Sequence, residues 1–175
     1  MLGSQTPAVR MWDPIVRITH WTVAGCIVLN FTVIDEHSEW HEWIGYTALA
    51  MLGLRVIWGL TGTERARFSS FLPDPKAAMQ HMLTMFGPDR QRHNSHNPLG
   101  ALMVYALWAL LFLVGCSGIL LEKIGEFSVY SEFAEELHEV TANLLVAMAF
   151  LHVGGVVLET RLSGVNLIRQ MTFKR

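Results

Sequence analysis

From Leu99 through Leu121 the chain carries no charged residue, and no other feature limits its fold so tightly. About 20 apolar residues suffice for a helix to cross the roughly 30 Å hydrocarbon core of a bilayer. With this stretch taken as 98–121, three more read the same way, about 15–34, 42–60 and 138–160. Charged residues make up 16% of the chain, against about 25% in an average soluble domain. Mean hydropathy is +0.33. A soluble protein of 175 residues could not bury so many fully apolar turns on every side. The sequence therefore predicts an all-α integral membrane four-helix bundle, residues 1–175 forming a single four-span domain. No basic excess suits nucleic acid, the net charge being −2. Arg10 and Arg17 precede an apolar stretch that holds His20 and has no small-residue cleavage site, so it reads as the first span and not as a signal peptide. Cys26 and Cys116 both fall within spans and read as small packing residues.

Positive charge orients the bundle. Arg10, Arg17, Arg55, Arg65, Arg67, Lys76, Arg90, Arg92, Arg161, Arg169, Lys174 and Arg175 share one side of a four-span topology, and Lys123 stands on the other. The positive-inside rule places both termini and the long middle connection in the cytoplasm of a bacterial inner membrane. The opposite face is acidic, carrying Asp35, Glu36, Glu39, Glu42, Glu122, Glu126, Glu132, Glu135, Glu136 and Glu139. Insertion rules explain missing cations there, but not so many carboxylates. Such a surface would steer a basic soluble partner in a salt-dependent way. In the connection from Thr61 to Asn97, residues 76–86 (KAAMQHMLTMF) suggest a short interfacial helix. The outer loop 123–137 reads as a cap over the acidic end.

His138 and His152 lie fourteen residues apart, and His152 is the one ionisable group between Val140 and Leu158. Fourteen residues is close to four helical turns, so both imidazoles share a face about 21 Å apart along the axis. Topology gives each histidine a depth. His41 begins the second span at the outer edge, level with His138; His20 sits in the inner leaflet, level with His152. A lone intramembrane histidine can simply bond a neighbouring helix. Two depth-matched pairs are what bis-imidazole haem ligation requires. Zinc and copper sites usually recruit a cysteine or carboxylate as well; the inner pair has none nearby, whereas Glu42 and Glu139 flank the outer one. Two haem b groups are the better match, with the iron held by His20–His152 inside and His41–His138 outside.

Arg55 follows His41 by the same fourteen residues and reaches the inner depth. It either snorkels to the surface or meets a haem propionate, and Arg17, one turn before His20, poses the same choice. His37, His81, His93 and His96 read as solvated or interfacial, with His37 close enough to the outer site to accept protons. Glycines at 45, 53, 59, 100, 115, 118, 154 and 155 mark either helix contacts or room for a flat macrocycle. Trp12, Trp21, Trp40, Trp43 and Trp58 fall near span ends, as in interfacial belts.

The segments MWDPIVRITHW, HEWIGYTALAMLGLRVIWGLTGTERARF, HNPLGALM and LHEVTANLLVAMAFLHVGGV resemble the bacterial cytochrome b561 family, which includes the cytochrome b subunits of nickel–iron hydrogenases. The resemblance runs from Met11 to Arg175. It implies a membrane di-haem b-type cytochrome with ligands His20, His41, His138 and His152, passing electrons between the quinone pool and a periplasmic redox partner such as a c-type cytochrome. Two alternatives stay open: the anchor subunit of a larger dehydrogenase or hydrogenase, or a quinol-linked oxidoreductase acting on a small oxidant such as superoxide. No acid–base constellation distinct from the ligands identifies an enzymatic site.

Overall fold

The computed structural model describes residues 11–87, 97–124 and 130–172. Within them every regular element is helical: α1 (Pro14–Thr32), α2 (Glu39–Thr61), a 3₁₀ turn (Phe68–Ser70), α3 (Pro75–Thr84), α4 (Pro98–Ile124), α5 (Ser131–Ser163) and α6 (Leu167–Met171). The helices α1, α2, α4 and α5 are long and apolar enough to cross a membrane. They correspond to the four expected spans, and α3 overlaps the short helix expected at 76–86. Arg10, Arg90, Arg92, Lys174, Arg175, Glu126, His93 and His96 lie outside the described residues.

Three helices start on the same local device, a short polar cap followed by proline at the first helical position. Asp13 accepts from the backbone N–H of Ile15 and Val16 ahead of Pro14. Asp74 accepts from Ala77 N–H ahead of Pro75, and Asn97 from Gly100 N–H ahead of Pro98. Ser38 caps α2, with Glu39 and Glu42 in its first turn favoured by the helix dipole. The C-terminal end of α5 closes on Gly164, in the left-handed region at φ 69°, whose N–H donates to Thr160.

One helix, α5, runs much further than hydropathy indicates. The span 138–160 is the middle of α5, which begins at Ser131 and converts half of the expected loop 123–137 into helix. Glu132, Glu135 and Glu136 explain this: glutamate forms helices readily and sits well near an N-terminus, yet contributes nothing to a hydropathy window.

In the bundle, α1 packs on α2, α2 on α4, and α4 on α5, while α3 lies against α4 and α6 against α5. The buried core joins Cys26 of α1, Ala48 and Leu52 of α2, Leu111 of α4 and Leu145 of α5. Glycine permits the close α2–α4 approach, since a Cβ at Gly115 would collide with the Leu49 side chain. Much of the outer surface is apolar, with Phe150 72% and Leu60 67% exposed, as a lipid-facing bundle requires.

The end rich in arginine is tied together by Asp13. Its carboxylate also accepts from the Trp58 indole at 2.9 Å and the Thr63 hydroxyl at 3.0 Å, joining the start of α1 to the end of α2. The chain after α5 is fastened to α1: Trp12 N–H donates to Gln170, the Trp21 indole to Met171 and Arg17 Nη1 to Thr172, each onto a backbone carbonyl. Burial pushes the Asp13 carboxyl up, but its donors from Trp58, Val16, Thr63 and Ile15 outweigh this and hold it below the usual carboxylate value. Asp13→Ala is therefore expected to destabilise the detergent-solubilised protein by about 1–2 kcal/mol, the scale of a lost helix cap. Because the folded value lies below the unfolded one of about 3.9, this contribution is present above that value and lost as pH falls through the folded value. Melting temperatures of wild type and variant should differ at neutral pH and converge in acid. A gap that stays constant down to low pH would contradict this role for the carboxylate.

Candidate functional site

The outer pair is assembled from α2 and α5. His41 stands in the first turn of α2, and its backbone carbonyl accepts from Asn30 Nδ2 of α1 at 3.0 Å. His138 lies two turns inside α5 because that helix starts early. Their ring centroids are 6.1 Å apart, with planes at 64°. The inner pair comes from α1 and α5: His20 and His152 have centroids 6.2 Å apart and planes at 54°. Buried Leu145 sits on α5 midway between His138 and His152, so the apolar core separates the two sites.

Each pair offers two imidazoles and, among the described residues, no third cysteine or carboxylate donor grouped with them. That donor set suits a cofactor that brings its own equatorial ligands. An imidazole nitrogen binds a metal at about 2 Å and lies about 1.1 Å from its ring centre, so two imidazoles on one iron have centroids about 6.3 Å apart. Both observed separations match this spacing. The buried Nδ1 atoms of His20 and His41 have no hydrogen-bond partner among the described residues. Beside the paired histidines there is room: a Cβ at Gly45, one turn from His41, or at Gly155, one turn from His152, would meet nothing within 4 Å among the described residues. Gly59, by contrast, is packed on Phe68, and Gly118 on His138. The glycines thus divide between the two uses open to them, and the residues fit haem.

Arg55 is buried, with 6% of its surface exposed. Its Nη2 donates to the Ala66 carbonyl at 3.0 Å, and its guanidinium lies 5.0 Å from the Trp108 ring centroid, with Phe68 and Phe71 at 5.9 and 6.0 Å. It does not snorkel. Nη1 is buried with no hydrogen-bond partner among the described residues and so is the group able to meet an anion. Arg17 also faces inward at this end, where its Nη1 is engaged by Thr172.

His37 is exposed, 3.9 Å from the Glu36 carboxylate. His81 departs from expectation: it is buried, with its Nε2 3.9 Å from Glu159 of α5. The cause is the roll of α3, whose Met79, Met82 and Leu83, with Phe86 just beyond it, form an exposed apolar face while Ala78 and His81, with Met85 at its C-cap, turn inward. Glu159 escaped the sequence reading, though its position seven residues after His152 places it on the same face of α5 as His138 and His152. At the acidic end, Asp35, Glu36, Glu39, Glu42, Glu122, Glu132, Glu135, Glu136 and Glu139 are all exposed. The Tyr46 hydroxyl donates to Glu122, joining α2 to α4 beside this surface. Cys26 belongs to the core and Cys116 is exposed on the bundle surface.

The prokaryotic cytochrome b561 family matches the chain over residues 11–174. No curated protein and no solved structure gives a significant match. The match includes all four paired histidines, both arginines and the whole of every candidate span. The chain belongs to the prokaryotic cytochrome b561 family, and is a b-type cytochrome that works in electron transfer within a membrane.

Proposed function

We propose that the chain holds two haem b groups, between His20 and His152 and between His41 and His138, and carries electrons across the bacterial inner membrane. The exchange runs between the quinone pool on one hand and a periplasmic redox protein, a basic c-type cytochrome, on the other. The observation that carries this reading is the pair of imidazole separations, 6.2 and 6.1 Å, at two levels of one helix. When bound, haem iron supplies a one-electron couple at each level.

The chain's own residues supply the rest. The spacing of His138 and His152 fixes the two levels about 21 Å apart along α5, within a hydrocarbon core of about 30 Å. Leu52, Leu111 and Leu145 keep the space between them dry. Buried Arg55 offers Nη1 to an anionic propionate at the inner level, where desolvation strengthens a charge-assisted bond. Arg17 is the second candidate for that anion, from α1. The basic end and both termini face the cytoplasm, following the arginine and lysine bias. The exposed carboxylates at the other end form the docking face for a basic partner.

His138→Ala and His41→Ala are each expected to remove one b-type spectral component and about half of the bound haem, with His20→Ala and His152→Ala removing the other component. Retention of both components with unchanged spectra in His138→Ala would refute the pairing. Docking is tested by adding quinol and a basic c-type cytochrome to the purified protein at several salt concentrations. Cytochrome reduction should be fast at low salt and slow markedly between 0.1 M and 1 M, as the Debye length falls from about 10 Å to about 3 Å. A rate independent of salt would argue against the acidic face as the docking surface.

A further inference from the structure

The helix α4 contributes no histidine to either pair, yet it grips one of them. Ser117, 2% exposed, has its Oγ 2.9 Å from the Val114 carbonyl and 3.0 Å from His138 Nδ1. His138 Nδ1 is also 3.1 Å from that same carbonyl. A carbonyl oxygen accepts and cannot donate. Nδ1 must therefore carry the ring proton and donate it, while the Ser117 hydroxyl, donating to Val114, presents its lone pairs to the same N–H. That settles the tautomer, because Nε2 is left bare as the ligating nitrogen. Gly118 completes the socket: a Cβ there would lie 3.2 Å from His138 Cε1, so the ring rests against the α4 backbone. Positions 114, 117 and 118 fall on one helix face.

We propose that Ser117 is a positioning residue that sets the orientation and the basicity of His138 toward the outer iron. The proposal rests on the reading that His41 and His138 hold a haem. A second acceptor on the Nδ1 proton drives electron density into the ring, strengthens Nε2 as a donor and favours the ferric state. It also fixes the ring plane, which a single carbonyl acceptor leaves freer to turn. The inner ligand His20 lacks such a hold, its buried Nδ1 having no partner among the described residues. The chain thus tunes the outer iron from a helix that does not bind it.

The test compares wild type, Ser117→Ala and Ser117→Thr in the haem-loaded, purified protein, with His138→Ala identifying the outer signals. Haem content, potentiometric titration and the low-spin ferric resonances are read together. Ser117→Ala should keep both haems and shift the outer ferric-to-ferrous equilibrium toward ferrous by about threefold to tenfold, at most about 59 mV upward for one electron. Its outer ferric resonance should move or broaden while the inner one stays, and Ser117→Thr should restore both. If Ser117→Ala loses the outer haem and Ser117→Thr retains it, the positioning role is again supported. Unchanged potentials and resonances in Ser117→Ala, equal shifts of both haems, or loss of the outer haem in both variants would overturn the proposal and leave the ligand reading standing. A His138→Ala protein with both signals intact would overturn the ligand reading and this proposal together.

Discussion

An imidazole in an apolar bundle needs a partner, and the rest of this protein is arranged around that need. Ionisable side chains are costly inside a bilayer, yet α5 carries His138 and His152 on one stripe, with Glu159 a further two turns along it. Each histidine is met at its own level by a histidine from another helix, α2 at one end and α1 at the other. Leu145 holds the layer between. Loss of one histidine from a pair would leave the opposite ring without its partner at that level, a cost inside an apolar bundle.

The two ends solve different problems. At the arginine-rich end, Asp13 gathers four donors from α1, α2 and the connection after α2, and three bonds fasten the C-terminal segment to α1. Arg55 is enclosed there by Phe68, Phe71 and Trp108. This end is closed and rigid by construction. The other end keeps its carboxylates exposed on the first turns of α2 and α5, where helix dipoles favour them. A surface of that kind serves encounter with a soluble partner better than it serves stability.

Much of this was legible in the sequence, because hydropathy and charge bias report the environment of each segment directly. The four spans, the short helix in the middle connection and the meeting of His20 with His152 and of His41 with His138 follow from them. Hydropathy is blind to helix that leaves the lipid, so the early start of α5 at Ser131 and the small helix α6 were not visible. The fate of Arg55 was hidden for another reason. Its neighbours Phe68 and Phe71 come from the connection after α2, and Trp108 from α4, a meeting that only tertiary packing creates. His81 was misread because a short amphipathic helix can roll either way, and here its apolar face stays exposed while His81 turns inward. The socket of Val114, Ser117 and Gly118 was invisible for want of a partner in sequence, since nothing local ties α4 to His138.

The proposed function requires two haems per chain, one for each histidine pair. A pyridine haemochrome titration of the purified wild-type protein, set against its concentration by amino-acid analysis, should find two haem b per polypeptide. A value of one, or none, would contradict the assignment of both levels of α5 to haem ligation.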